Sequence, residues 1–163
     1  MIVFGEVTIS EVQLHEEATA SNARLGSYEM DHHCPTREFL CYRVKLERQD
    51  ESHLFLLGIS DFMNLTRGRT CRLGDVLPHA SKDAGVWSFM TSDVDLRSWA
   101  GLELVLVAAE LQGAPLVAID GNHRAIAHFL AHGSVERVPA FVCVHPAIGK
   151  WQFIPPLARS GHK

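Results

Sequence analysis

No uninterrupted apolar run in the chain approaches the roughly 20 residues that a membrane-spanning helix needs. The opening MIVFGEVTISEV also lacks the basic start, apolar core and small-residue cleavage site of a secretory signal. A cytoplasmic protein with no membrane partner is therefore expected. Basic charge is in short supply: 15 Lys and Arg face 19 Asp and Glu, for a net charge of −4. That balance withholds the general attraction to polyanions on which nucleic-acid binders rely, so nucleic acid is not an expected partner. The one basic cluster, RGRTCR from Arg67 to Arg72, reads as a solvated loop. Cysteines are few, and Cys34, Cys41, Cys71 and Cys143 form no CxxC pair. A domain of this size does not need crosslinks to fold, and the four are expected as reduced thiols. Repeats, low-complexity tracts and linkers are absent, which leaves residues 1–163 as a single domain.

What the sequence does contain is an ordinary globular composition, 47% hydrophobic and 21% charged. IVFGEVTISEVQL mixes alternation with β-branched residues and reads as a strand entering a loop. ATASNARLGSYEM carries a weak helical pattern. FLCYRVKLE and HLFLLGIS, separated by RQDES, have the form of a hairpin with a longer loop. From Asp61 to about Ala100 the pieces around VWSFM and LRSWA follow no readable order. LELVLVAAE and PLVAID, joined through Gly113, pair naturally as an antiparallel hairpin, although a helix over LELVLVAAEL is an alternative. In NHRAIAHFLAHG, Ile126, Phe129 and Leu130 share a helical face, and Gly133 suits a left-handed stop. VERVPAFVCVH then reads as a strand with Pro139 near its start. The sum is an α/β domain with a mixed sheet.

Between the strand PLVAID and the helix lies a polar knot, Asp120-Gly121-Asn122-His123-Arg124. A helix that starts directly after a strand presents unpaired N–H groups and the positive end of its dipole, which together bind anions. Gly121 permits a sharp turn and close approach of a ligand, His123 and Arg124 add donors, and the guanidinium fork matches phosphate oxygens. Asp120 could orient the histidine, hold a hydroxyl or take a hydrated Mg²⁺. The bland alternative is equally simple: Asp-Gly is a common turn, Asn122 an ordinary N-cap, and a His-Arg pair in a first turn can be no more than solvated.

The longer segment APLVAIDGNHRAIAHFLAHGSVERVPAFV, Ala114 to Val142, resembles the signature of the ParB/sulfiredoxin superfamily: strand, Asp-Gly-x-His-Arg turn, alanine-rich helix, glycine, then a VPA-type strand. LELVLVAAELQG before it resembles the strand that pairs with it. The resemblance implies a ParB/sulfiredoxin-like mixed sheet with flanking helices, and a hairpin-containing segment inserted at about 31–100. It also implies phosphate contacts from Gly121, Asn122, His123 and Arg124 to ATP, ADP or another nucleotide. Sulfiredoxins carry a reactive cysteine where this chain has Asn122, and partition ParB proteins continue into a helix-turn-helix that HPAIGKWQFIPPLARSGHK does not supply. QLHEEAT resembles the N-terminal segment of free-serine kinases in that superfamily. By that resemblance Glu16 is the base toward a small hydroxyl-bearing substrate, Asp120 and His123 assist, and Asp120 meets Mg²⁺. The two glutamates after His15 also suit a helix first turn, where the dipole favours acids. The expected function is an ATP- or ADP-dependent phosphotransferase, a small-molecule kinase, or a nucleoside-triphosphatase. A non-catalytic nucleotide sensor or protein-interaction module, with the insertion as its face for a partner protein, and a ParB-like nuclease are the alternatives.

Three further groups carry less. Asp31, His32, His33, Cys34 and Cys41 are competent metal ligands, but adjacent ones cannot readily face a single ion, and no second ligand pair stands at zinc-site spacing. His128 and His132 lie four apart on one helical face without an HExxH glutamate, and read as solvent-exposed. Trp87, Trp99 and Trp151 read as packing residues.

Overall fold

The computed structural model describes residues 1–10, 38–66, 70–80, 82, 103–112 and 114–159. Within them the chain forms strands β1 (Ile2–Ser10), β2 (Glu38–Lys45), β3 (Leu54–Phe55), β4 (Leu104–Ala108), β5 (Leu116–Asp120) and β6 (Pro139–Val144). The helices are α1 (Ser60–Leu65), α2 (Leu73–Ala80), α3 (Asn122–His132) and α4 (Pro156–Arg159), with 3₁₀ turns over Arg48–His53 and Pro146–Lys150. The six strands form one mixed sheet in the order β1-β2-β6-β4-β5-β3. The α/β class expected from the sequence is thus observed.

The last third follows its sequence pattern closely. β4 and β5 pair antiparallel, with Leu106 opposite Ala118 and a register shift near Asp120. Every residue of both strands is buried, so the sheet is covered on both faces here, as their unbroken apolar runs require. α3 then crosses the sheet and delivers β6 parallel to β4, with Pro139 as the first residue of that strand. Gly133, at φ 70°, terminates α3, and its N–H donates to the Phe129 carbonyl at 2.7 Å. The buried face of α3 is Asn122, Ala125, Ile126 and Ala127. Phe129 is only half-buried and Leu130 is 39% exposed, so the expected apolar face is rotated toward the alanines.

Two expectations are overturned. β2 and β3 do not form a hairpin: β2 lies between β1 and β6, while β3 is the opposite edge of the sheet, parallel to β5. The connecting residues wind into the 3₁₀ turn instead of reversing the chain, closed by a capping box in which the Glu47 N–H donates to Asp50 Oδ2 at 2.8 Å. β6 takes the place beside β2, and the Leu46 N–H donates to the Val138 carbonyl at 3.0 Å as that pairing ends. The second correction concerns the thiols. Cys41 and Cys143 stand directly opposite each other on β2 and β6, and their sulfurs are joined in a disulfide. A crosslink between positions 102 apart in sequence restricts the unfolded chain and contributes roughly 3–5 kcal/mol. Cys71 is the free, buried thiol among the described residues, and desolvation pushes it up to about 11, so it stays protonated and inert at neutral pH.

The segment that follows β3 ties the molecule together. The Leu56 N–H donates to the Cys71 carbonyl at 2.8 Å, and the Gly58 N–H to the Phe153 carbonyl at 2.7 Å. A side chain at position 58 would put its Cβ only 2.8 Å from that Phe153 oxygen, so this close approach needs glycine. Trp151 is buried in the core as expected, edge-on to Phe153 at 5.3 Å. Arg159 of α4 donates to the carbonyls of Trp151, Gln152 and Ile154, which folds the C-terminal segment back on itself.

Candidate functional site

β5 ends at Asp120, buried to 4% exposure. The next residue, Gly121, takes φ 80° and ψ 16°, a left-handed conformation that costs a residue with a Cβ about 1–2 kcal/mol. It is also the N-cap of α3, so Asn122 occupies the first helical position rather than the N-cap. A Cβ at position 121 would meet Leu104 Cδ2 at 2.7 Å and the Arg124 guanidinium at 3.4 Å. The space opened by this glycine is therefore taken up by Leu104 and Arg124.

The polar side chains of the turn are engaged. Asp120 Oδ1 accepts from the Gly121 N–H at 2.7 Å, and Oδ2 accepts from Arg124 Nη2 at 3.0 Å. The two side chains of this pair are 5% and 17% exposed. Asn122 turns away from its own helix start: its Oδ1 accepts the buried Leu57 N–H at 2.9 Å, anchoring the segment after β3 to α3. His123 packs against Phe62 of α1 with ring centres 5.1 Å apart. Burial lowers its pKa from the ordinary 6.5, with Asp61 opposing that shift, so the ring is neutral at pH 7.

The structure thus brings Asp120, Gly121, Asn122, His123 and Arg124 into one turn at the head of an 11-residue helix. Glu16, the expected base, lies outside the described residues, as do Asp31 to Cys34. Contacts from Leu57, Asp61 and Phe62 to this turn had no signature in the sequence. They come from more than 60 residues away, and no local pattern reports such a distance.

Chemically, the turn offers a helix N-terminus with no acid in its first turn and a guanidinium oriented by a buried carboxylate. Such a donor set fits a phosphate. A divalent cation fits less directly, because each oxygen of Asp120 already accepts a hydrogen bond. Among the described residues no group of three His, Cys, Asp or Glu side chains could hold a metal ion. Mg²⁺ usually retains several waters and reaches its site through one or two carboxylates plus substrate phosphates, so any Mg²⁺ here would arrive with the phosphate. Compared with known protein families, with curated proteins and with solved structures, the chain matches none. No helix among the described residues is long and apolar enough to cross a membrane.

Proposed function

We propose that the Asp120–Arg124 turn holds the phosphates of ATP or ADP in a ParB/sulfiredoxin-like enzyme that transfers the terminal phosphoryl group to a small hydroxyl compound or to water. The observation that carries this reading is the turn itself: a strand end, a left-handed glycine and the start of a helix whose first turn holds Arg124 against buried Asp120. Backbone N–H groups and the guanidinium would bind phosphate oxygens. Neutral His123 would donate or accept one proton at the same place, and Mg²⁺ carried by the nucleotide would offset charge on the transferring group. Glu16, if it reaches the turn, would take the proton of the attacking hydroxyl as the bond from phosphorus to the nucleotide oxygen breaks. The proposal places the protein in the cytoplasm, where the Cys41–Cys143 bond must persist against a reducing thiol pool.

A second reading, a nucleotide sensor without turnover, is favoured by one fact: Asp120 and Asn122 both spend their side chains on bonds within the protein. The test is ³¹P NMR of the full chain with Mg²⁺ and ATP or ADP, with and without a panel of hydroxyl metabolites that includes serine. The enzyme reading expects release or transfer of the terminal phosphate, slowed by Glu16→Gln and by Arg124→Lys, which keeps the charge but loses the fork. Nucleotide binding without turnover, unaffected by Glu16→Gln, would leave the sensor. No binding of either nucleotide would end both readings, and metal-dependent nicking of DNA would point instead to the nuclease alternative.

A further inference from the structure

We propose that the Cys41–Cys143 disulfide is a redox-sensitive lock on the outer part of the sheet. Oxidised, it pins the Glu38–Cys41 end of β2, and the end of β1 paired with it, to β6. Reduced, it lets that end of the two-stranded ribbon open while β4, β5 and β6 stay closed. Nothing in this inference depends on the phosphate turn. Among the described strands β1 pairs with β2 alone, so whatever holds β2 holds both.

The two ends of β2 are fastened differently. Beyond Lys45, the Leu46 N–H donates to the Val138 carbonyl at 3.0 Å, and the Arg137 N–H donates to the Leu46 carbonyl at 2.7 Å. Close by, Glu51 accepts from the Ser134 hydroxyl and from the Val135 N–H, the latter at 3.0 Å. None of these bonds responds to redox state. Midway along the strand Arg43 reaches Glu103 at 3.4 Å, an exposed pair of the kind that contributes little. At the other end the ladder with β6 finishes at Leu40 opposite Val144, the Phe39 ring meets His145 at 6.4 Å, and the covalent tie is Cys41 to Cys143. This is also the end that carries Val7 to Ser10 of β1, which pair with Cys41 to Glu38. Leu40 is 37% exposed, so the end lies at the surface.

Both cysteines of the bond are 0% exposed, so a reductant reaches the sulfurs only when this end frays. That guard slows reduction in a thiol pool without forbidding it. The step itself is an exchange with a dithiol. One thiolate of the dithiol attacks a sulfur of the bond and displaces the other cysteine, which takes up a proton. The second thiol then closes on the mixed disulfide, so that the dithiol leaves as its own disulfide and two electrons remain on two cysteine thiols. Cys71 does not intervene, because it is buried and stays a protonated thiol, and only the thiolate exchanges.

The experiment uses the full-length chain, oxidised and after reduction with dithiothreitol. Mass spectrometry of an unreduced digest of the oxidised form should find the peptides of Cys41 and Cys143 joined. Amide hydrogen exchange should then be faster by about tenfold or more in the reduced form over Val7–Ser10 and Glu38–Cys41, and unchanged within about twofold over β4 and β5. The doubly substituted chain, Cys41→Ala with Cys143→Ala, should show the same pattern without reductant. The reduced wild-type chain carries no substitution and keeps the test decisive if that variant folds poorly. Separate peptides in the unreduced digest, equal exchange in the two forms, acceleration spread equally over β4 and β5, or global unfolding on reduction would each overturn the proposal.

Discussion

The two ends of α3 carry similar residue types and use them in opposite ways. At the N-terminal end the polar side chains turn inward: Asp120 holds Arg124, Asn122 holds the Leu57 N–H, and His123 lies on Phe62. At the C-terminal end the rings of half-buried His128 and exposed His132 lie 4.5 Å apart, and α3 stops at Gly133 in a left-handed conformation. Polarity in a sequence therefore does not by itself mark a ligand site. The N-terminal turn is a structural joint first, and the phosphate contacts proposed for it would come from donors that the joint already holds in place. At the C-terminal end it is His132 that stands exposed, while His128 is half-buried.

Substitutions can break this contrast, and the largest effect is expected at Arg124. Removing it with Arg124→Ala leaves the Asp120 carboxylate enclosed without its cation, a change that costs about 3–5 kcal/mol. A urea denaturation midpoint within error of wild type would show that the pair is not a joint. Asn122→Ala strands the buried Leu57 N–H and should cost about 1–3 kcal/mol, read by the same denaturation series. A smaller loss would mean that water replaces the carboxamide.

The next effect depends on pH. Because burial depresses the His123 pKa below 6.5, the unfolded chain binds the proton more readily than the folded one. Stability from this residue is complete above pH 6.5 and is lost as pH falls toward the depressed folded value. His123→Gln should flatten the fall in stability as pH drops below 6.5, and a slope identical to wild type would rule out this assignment. The smallest effect belongs to the other end of the helix: His132→Ala is expected to change stability by no more than about 0.5 kcal/mol in thermal denaturation. A large loss there would erase the difference between the two ends.

How much of this was legible varied with the distance over which each feature is encoded. The β4–β5 pair, α3 with its glycine stop and β6 with its leading proline all rest on periodicity and turn chemistry within a few residues, and all are present. The polar knot was legible as a turn at a helix start. Its internal bonds were only partly so: Asp120 and Arg124 are four apart, but Leu57 and Asn122 are 65 apart. The β2–β3 hairpin failed because two apolar runs with a polar link specify two strands and not their partners. The thiols were misread for a similar reason, since only the antiparallel register of β2 and β6 sets Cys41 opposite Cys143.

By itself, the sequence determined the α/β class, the helix that begins after Gly121 and ends at Gly133, and the set of charged and polar residues at its head, because propensity and periodicity act locally along the chain. The sheet order, the disulfide, the inward turn of Asn122 and the covering of His123 by Phe62 were decided only in three dimensions. Each depends on which distant backbone groups must be satisfied once the strands are buried, and that demand exists only after the sheet has closed around them.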